Sequence, residues 1–437
     1  MLVEFSVANH LSVRDSVTLS LLASSKVSEY RAQNVIELDR NPLLRTAAIY
    51  GANASGKSNV LQSLVWMRWF VINSQKETQA GEPIMIQPFK LDVDYAAKPS
   101  HFEAVFFIDG VRYRYGFEVS AKMVVKEWLF RAVKKAETEL FVRMGDSIDV
   151  ARGFAEGRDF VENTRANALF ISTVASLNGP LSGQIVRWFQ RLVPVHGLKE
   201  QQYLAASVEM VKDSEMRDRF IDMIRKADLG IEDVLVKKAD KTLPPDIIKL
   251  FTDEGRQRFM QDFAPVDGVS LRSVHTRFKN GQPLDAVEMD FTREESEGTR
   301  KFFSLAGPVL HSLENGCVMI ADELEAKLHP LLTRMIVRLF HSPVTNPRNA
   351  QLIFATHDAN LLQYMRFRRD QIWFTEKTQQ QATDLYSLAE IKLPKGKVRK
   401  DASYEKDYFK GRYGAVPYLG GFEQWFDGEE GADGEAS

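Results

Sequence analysis

The chain has little of several features that would place it in other protein classes. A single cysteine, Cys317, occurs in 437 residues, which excludes an internal disulfide framework. No run of about eighteen apolar residues occurs, and the N-terminal sequence lacks a basic stretch followed by an apolar one. We therefore expect a cytoplasmic protein that is neither exported nor inserted in a membrane, with Cys317 buried in its core.

Charge and periodicity exclude further classes. The formal net charge is only -2, so any contact with nucleic acid would need a local basic patch. We find no internal repeat and no sustained heptads, which excludes long coiled-coil arms. A hydrophobic content of 44% is ample for the core of one large or two modest domains.

A glycine-rich motif is the most informative feature that the sequence does have. Residues 51–58 read GANASGKS, of the form G-x-x-x-x-G-K-[ST], directly after the apolar run 46–50. A buried strand would lead into a turn whose amides surround phosphate oxygens, and a helix over 57–73 would point its positive end at them. Lys57 would supply charge for the β- and γ-phosphates, and Ser58 a ligand for Mg²⁺. This motif predicts ATP or GTP binding, with a chance glycine-rich turn as the alternative.

The hydrophobic period changes along the chain and predicts an α/β fold. Asp109-Gly110 and Asn280-Gly281 are typical two-residue turns of antiparallel hairpins. The period lengthens between about 157 and 230, which indicates a helical insertion with one helix over 208–228 and a stop at Gly230. Strands are predicted at 2–7, 17–22, 102–108, 111–119, 124–133, 139–143, 271–278 and 286–291.

A second motif carries two carboxylates. Residues 318–323 read VMIADE, a short apolar run that predicts a buried strand whose tip emerges beside the phosphate loop. Asp322 would hold magnesium, and Glu323 would orient and deprotonate the water that attacks the γ-phosphate. Two acids alone describe a solvated loop start equally well, but the phosphate loop favours the catalytic interpretation.

Three further segments complete the pattern. Residues 296–299 read SEGT at the start of a predicted helix, where Ser296 would be the N-cap and exposed amides would receive a phosphate. Residues 324–330 read LEAKLHP, and a second apolar strand over 351–355 precedes His357, which is placed to sense the γ-phosphate. Taken singly, the first segment is most often a helix cap and the histidine is most often structural.

With these motifs in this order, the chain resembles ABC-type ATPases of the AAA family related to structural-maintenance-of-chromosomes and overcoming-lysogenisation-defect (OLD) proteins. The resemblance implies an α/β ABC-type P-loop NTPase with a mixed β-sheet core, an antiparallel β-meander and a helical insertion. It implies ATP and Mg²⁺ as cofactors, a signature motif at 296–299, a D-loop at 325–328 and a Q-loop at Gln87, although a loop glutamine is usually just solvated.

The resemblance also implies a set of site residues. Catalysis would use Lys57, Glu323 and His357, and the metal would be held by Ser58, Asp322 and Gln87. The nucleotide would be contacted by Gly51, Asn53, Ala54, Ser55, Gly56, Lys57, Ser58, Asn59, Ser296 and Gly298.

The C-terminal residues 408–419 resemble the ending of stand-alone ATPases of the abortive-infection AbiLi/RloA type, which take part in bacterial phage defence. A docked tail that closes the core is the alternative. The signature SEGT disfavours a transporter, and the residues after His357 lack an Asp-x-Asp pair. We therefore expect a regulatory ATPase that pairs head to tail with a second copy, or assembles further, and controls a separately encoded nuclease or toxin.

The alternative function is a DNA-repair or chromosome-maintenance ATPase that clamps DNA directly. Basic clusters at 366–369 and 392–400 are candidate DNA contacts, although such runs are more often solvated faces. The pair at 92–94, Asp-Val-Asp, is interpreted as a solvated turn.

The predicted domains follow the motifs. Residues 1–155 carry the phosphate loop and the β-meander, 156–268 form the helical insertion, and 269–425 carry the signature, the acidic strand and His357. Residues 426–437 are predicted to be a disordered acidic tail.

Overall fold

The computed structural model describes residues 1–38, 41–133, 136–199, 201–238, 269–393, 396–397 and 403–417. The predicted acidic tail and the last part of the predicted insertion, 239–268, lie outside these residues. The chain divides into two compact units. The signature unit comprises Met1 and Arg187–Asp358, and the P-loop unit comprises Leu2–Val186 and Ala359–Ser437. The domain boundaries given above stay a prediction.

The described residues form both strands and helices. In chain order the strands are β1 (Leu2–Ala8), β2 (Val17–Ser20), β3 (Val35–Ile36), β4 (Leu43–Leu44), β5 (Thr46–Gly51), β6 (Ser100–Ile108), β7 (Val111–Val119), β8 (Val124–Ala132), β9 (Thr138–Met144), β10 (Ser147–Val150), β11 (Leu192–His196), β12 (Asp233–Lys238), β13 (Val269–Lys279), β14 (Gln282–Asp290), β15 (Val318–Asp322), β16 (Gln351–Ala355), β17 (Ile372–Lys377), β18 (Thr383–Ser387), β19 (Lys392–Leu393) and β20 (Gly396–Lys397). The α-helices are α1 (Arg31–Asn34), α2 (Lys57–Asn73), α3 (Val93–Ala96), α4 (Phe170–Ser176), α5 (Pro180–Gln190), α6 (Gln201–Lys212), α7 (Arg217–Lys226), α8 (Phe291–Glu294), α9 (Glu297–Asn315), α10 (Pro330–His341), α11 (Asn360–Tyr364) and α12 (Tyr404–Phe409).

A seven-stranded antiparallel sheet lies in the P-loop unit. Its order is β10-β9-β8-β7-β6-β1-β2, so the predicted meander is confirmed and the two N-terminal strands extend it. The hairpin between β6 and β7 turns at Asp109 and Gly110, whose φ angles are +48° and +77°. Positive φ at both turn residues matches the right-handed twist of the paired strands.

A second group of strands in the P-loop unit leads to the phosphate loop. β5 is buried along its whole length, as expected of a strand that is covered on both faces. β17 pairs with it in parallel, with Ile372 opposite Ala48, and β18 pairs antiparallel with β17. The helix that follows the loop, α2, has the predicted bounds 57–73.

The signature unit contains a parallel arrangement of β11, β15 and β16. β15 and β16 are the two apolar strands that the sequence predicts, and β15 pairs with both β11 and β16. β11 corrects the expectation that residues 157–230 are helical, because it places His196 opposite Asp322 in the sheet. Its sequence, LVPVH, is short and contains Pro194, which a strand tolerates at a sheet edge because proline lacks an N–H donor.

The helix predicted over 208–228 consists of two helices, α6 and α7. Between them, the Asp213 carboxylate accepts the backbone N–H groups of Glu215 and Met216 at 2.8 and 3.2 Å. A side chain that binds nearby N–H groups offers the backbone an alternative to the helix, a signal that apolar spacing does not carry. β13 and β14 form the predicted hairpin.

Two expectations from composition concern single features. Cys317 is buried, as predicted. Within the described ranges, no helix has both the length and the apolar character that crossing a bilayer requires.

His10 lies in the core beside α2. Its Nδ1 is 2.8 Å from Ser63 Oγ, and because that hydroxyl donates to the carbonyl of Asn59 at 2.6 Å, the imidazole nitrogen is the donor. The ring packs against Trp66 and Phe102 at centroid distances of 5.6 and 5.0 Å. Burial lowers the pKa of His10 to about 4.

We expect acid to destabilise the chain through His10. Between the ordinary pKa of 6.5 and about 4, the unfolded chain binds a proton that the folded chain does not, so the free energy of unfolding falls as pH falls. At pH 5 the protonation of His10 in the unfolded chain lowers the free energy of unfolding by about 2 kcal/mol. His10→Phe leaves the Ser63–Asn59 bond intact. The free energy of unfolding in urea should then differ between pH 7 and pH 5 by that much less than in the parent chain. The exposed, helix-capping His329 supplies the control, His329→Asn, and an unchanged pH dependence in His10→Phe would contradict the prediction.

Candidate functional site

The predicted phosphate loop runs from the end of β5 to the start of α2. A Cβ on Gly51 would lie 2.5 Å from Ser55 Oγ, and one on Gly56 would lie 1.9 Å from Thr383 Oγ1. Gly56 also has a φ of +110° and, as the N-cap of α2, offers no side chain to the first amides of that helix. Only glycine fits this path, and the helix amides remain suited to an anionic ligand.

Hydroxyl groups hold the loop from the side. Ser55 Oγ lies 2.6 Å from Thr375 Oγ1, and Thr383 Oγ1 donates to the carbonyl of Ser55 at 2.9 Å. Ser12 Oγ lies 2.7 Å from Thr383 Oγ1 and accepts from Asn59 Nδ2 at 2.6 Å. The side chains of Ser55 and Asn59, which were predicted to contact nucleotide, therefore bond within the protein and position the loop.

The ammonium group of Lys57 lies against the loop itself. Its side chain is buried, and Nζ donates to the carbonyls of Gly51 and Ala52 at 2.8 and 3.1 Å. These oxygens compensate the burial of a cation that has three donors and no acceptor. Ser58 is half-buried in the first turn of α2, and residues 53–54 are exposed at the loop tip. A loop with glycine at both ends and a cation held on it fits a triphosphate.

The C-terminal segment contacts the strand that carries the loop. Tyr408 is buried, its hydroxyl group donates to the carbonyl of Ala415 at 3.2 Å, and burial raises the pKa of that hydroxyl. Its ring packs on Tyr50 and Phe374 at centroid distances of 6.0 and 5.6 Å. In the described residues 403–417 the segment is thus docked on the core, which was the alternative to a family-specific ending.

Gln87, predicted as the Q-loop residue, lies beside the loop in the same unit. Its backbone carbonyl accepts the N–H of Leu11 at 2.8 Å, and its side chain is exposed. It lines a cavity of about 260 Å³ together with Asn59 and Lys377. This position leaves its amide group accessible to a ligand of the loop.

The signature unit holds the two predicted acids at the tip of β15. Asp322 is buried, and the Nε2 atom of His196 lies 3.8 Å from its Oδ2. Glu323 is half-exposed and has a φ of +52°, a left-handed conformation that costs a non-glycine residue about 1 kcal/mol. Its carbonyl accepts the N–H of Ala326 at 3.1 Å. The chain therefore turns sharply from Glu323 onward, directly after the two carboxylates.

His357 follows β16 in the same unit, as predicted. Its side chain is exposed, and its backbone N–H donates to Glu325 Oε1 at 2.6 Å. The residue that opens the predicted D-loop thus fixes the main chain of the predicted sensor histidine.

Residues 296–299 begin α9, where the sequence predicts them. Ser296 is the N-cap and its Oγ accepts the N–H of Thr299 at 3.1 Å, so the helix-cap interpretation is confirmed. Lys327 Nζ lies 3.3 Å from Glu297 Oε2, and a Cβ on Gly298 would lie 3.1 Å from the carbonyl of Lys327. The predicted signature and D-loop are therefore in contact.

The basic cluster at 366–369 is not an exposed basic surface along its whole length. Arg368, at 0% exposure, donates to the carboxylate of Asp370 and to the carbonyls of Glu29 and Ser24. Arg369 pairs with Glu29 at 2.7 Å. The expectation of a solvated or DNA-facing cluster is wrong for these two arginines, because they tie the segment to the protein interior. Most of the second cluster, 392–400, lies outside the described residues.

The acidic pair at 92–94 begins a short helix rather than an open turn. Asp92 is the N-cap of α3, and its carboxylate accepts the N–H of Asp94 at 3.0 Å. Across the part of the chain that the structure describes, no group of three or more His, Cys, Asp or Glu side chains could hold a metal ion. Mg²⁺ with a nucleotide needs only one or two carboxylates, so Ser58, Asp322 and Gln87 fit it as ligand types.

Several residues with contacts at the site were not predicted to contact it. Thr383 and Tyr408 lie far from the loop in sequence, and His196 lies in a range that was predicted to be helical. His196 ends a short apolar run, LVPVH, and the same pattern predicted the position of His357. That pattern is the sequence feature that would have indicated His196.

A model of a family described as "AAA domain, putative AbiEii toxin, Type IV TA system" matches residues 47–363. This range covers well over half of the chain and includes the phosphate loop, the start of α9, the tip of β15 and His357. No curated protein matches the chain.

Proposed function

The chain belongs to the AAA-domain family whose description names type IV toxin–antitoxin systems, and we propose that it is an ATP-hydrolysing regulatory subunit of a bacterial anti-phage system. The phosphate loop carries this proposal. Two glycines that admit no side chain and a buried lysine bound to loop carbonyls suit a triphosphate. The predicted activity is hydrolysis of ATP to ADP and phosphate.

In the P-loop unit, residues of the loop would bind ATP. The amides of residues 51–56 and of the first turn of α2 would surround the phosphates, and Lys57 would pair with the β- and γ-phosphates. When Mg²⁺ is bound, Ser58, Asp322 and Gln87 would hold it, and it would neutralise charge on the phosphate oxygens.

In the signature unit, Glu323 would act on the attacking water. Its carboxylate is half-exposed and would accept the proton of that water as the water attacks phosphorus. His357 would donate a hydrogen bond to the γ-phosphate from its exposed ring. Glu325, which holds the backbone of His357, would set the direction of that ring.

We propose that two copies complete each other's sites, within an ABC-type arrangement. The N-terminal end of α9, with Ser296 and Gly298, would meet ATP that is held by the phosphate loop of the second copy. The positive end of this 19-residue helix suits a phosphate. ATP would then favour the paired form and its hydrolysis would release it, because a ligand shifts an equilibrium by its differential affinity.

The partner of this cytoplasmic dimer, or higher oligomer, would be a separately encoded nuclease or toxin. The family description names a toxin system, which supports a companion of this kind. The second candidate function is a DNA-clamping ATPase of the repair or chromosome-maintenance type. The burial of Arg368 and the ion pair of Arg369 remove two of the three arginines from one of the two basic clusters that would favour it.

Two substitutions separate binding from hydrolysis. Lys57→Ala should weaken ATP binding at least about 100-fold, because it removes the cation of the loop. Glu323→Gln should retain ATP, lower kcat by about 10²- to 10⁴-fold and accumulate the paired form, because the general base is lost. Equilibrium binding of a fluorescent ATP analogue, phosphate release and light scattering measure the three effects. Equal hydrolysis by Glu323→Gln and the parent would remove Glu323 from its role.

Mixed copies test the shared sites. Ser296→Arg and Lys57→Ala should each abolish hydrolysis alone, whereas their mixture should recover about one working site per mixed pair. A mixture of Ser296→Arg with Glu323→Gln is informative too, since both substitutions fall in the signature unit and leave each chain an intact phosphate loop. Absence of recovery in the first mixture would contradict composite sites.

The two candidate functions differ in their response to DNA. For the regulatory ATPase we expect duplex DNA to change the purified chain's hydrolysis rate by less than about twofold, because in one of the two candidate basic clusters Arg368 is buried and Arg369 is paired with Glu29. The protein encoded by an adjacent gene should instead change that hydrolysis rate, or its own toxicity in cells should be lost when it is expressed together with this chain. Strong stimulation by DNA alone, falling at least about tenfold between 50 and 200 mM salt, would favour the DNA clamp.

A further inference from the structure

Lys301 is a buried cation inside the signature unit. It lies on α9, three residues after Gly298, and its side chain has 0% exposure. Its Nζ atom donates to the carbonyl of Gly197 at 2.6 Å and to the hydroxyl of Tyr203, whose ring centroid lies 5.2 Å away. Burying an ammonium group is costly unless such acceptors surround it. The lysine therefore holds Gly197 and Tyr203 in fixed places relative to α9.

Gly197 in turn contacts both residues at the tip of β15. Its N–H donates to the carbonyl of Asp322 at 2.7 Å. A Cβ on Gly197 would lie only 2.0 Å from the carbonyl oxygen of Glu323, so no other residue fits here without displacing that backbone. Gly197 thus accepts a hydrogen bond from Lys301 at its carbonyl, donates one to Asp322 from its amide, and lies directly against the carbonyl of Glu323.

The backbone that Gly197 supports is under strain. Glu323 has a φ of +52°, which persists only where surrounding contacts determine it. The supporting contacts include Ala326 N–H on the Glu323 carbonyl at 3.1 Å and the close approach of Gly197. A shift of Gly197 would therefore alter where the carboxylate of Glu323 points.

We propose that Lys301 is a positioning residue that couples the N-terminal end of α9 to the backbone of Glu323 through the carbonyl of Gly197, and so sets the rate of hydrolysis without contacting ATP. This inference rests on the proposed ATPase function. Ser296, Gly298 and Lys301 all lie at the start of α9, so a displacement of its N-terminal end by a phosphate would reach Lys301 within little more than one turn. The glycine would pass that displacement to the catalytic acid.

Lys301→Met tests the coupling with a side chain of similar length and no donor. We expect kcat to fall at least about tenfold while KM and the binding of an ATP analogue change less than about twofold, because the phosphate loop is untouched. Tyr203→Phe is the matched control: it removes the second acceptor of Lys301 and the 3.3 Å bond from that hydroxyl to the carbonyl of His196, but it leaves the Gly197 bond and should retain kcat. Lys301→Arg keeps the cation and should recover part of the lost rate. Parent-like kcat in Lys301→Met, or an equal loss in Tyr203→Phe, would overturn the proposal.

Gly197→Ala gives a second variant in case Lys301→Met does not fold. Its Cβ must push on the Glu323 carbonyl, so kcat should fall while analogue binding persists. Retained kcat in this variant would contradict the role of Gly197.

Amide hydrogen exchange separates this inference from the proposed function. In Lys301→Met, exchange in peptides that cover 196–198 and 322–326 should be at least about tenfold faster than in Tyr203→Phe, with or without ATP. If the parent chain does not hydrolyse ATP, the proposed function fails, and the exchange comparison alone decides the coupling. Equal exchange in the two variants would overturn it.

Discussion

Close approach of other groups to a glycine, where a Cβ would not fit, is the constraint on which the phosphate loop and the turn after β15 each depend. Gly56 places the phosphate loop against Thr383, and Gly197 places the end of β11 against the carbonyl of Glu323. A buried lysine binds main-chain carbonyl groups in each case: Lys57 binds those of Gly51 and Ala52, and Lys301 binds that of Gly197. The glycine allows the contact and the ammonium group fixes it, so that neither turn relies on side-chain packing alone.

Local patterns predicted the elements that carry the site with good accuracy. The bounds of α2, the strands β15 and β16 and the turns at Asp109 and Asn280 are as expected, because strict motifs and turn chemistry specify them over a few residues. The family match over 47–363 agrees with the class of ATPase that the same motifs suggested. Finer family membership and the roles of individual site residues stay predictions.

Long-range contacts are where sequence reasoning failed. Arg368 belongs to a run of basic residues, yet its partners are Asp370 and carbonyls more than 300 residues earlier in the chain, at Glu29 and Ser24. Nothing local to the run indicates that burial. β11 was missed for a related reason, since a five-residue strand with a proline has too little periodicity to oppose the helical pattern around it. Lys301 likewise looks like an ordinary helical lysine until its fold places Gly197 beside it.

The docking of the C-terminal segment on β5 has a consequence for synthesis of the protein. Ser55 and its support Thr375 are 320 residues apart in sequence, and Tyr408 follows later still. A ribosome therefore exposes the glycine loop long before it delivers the residues that hold the loop in shape. The loop would gain these supports only after Thr375 and Tyr408 have been translated, and a product that stops before Thr375 would lack both of them.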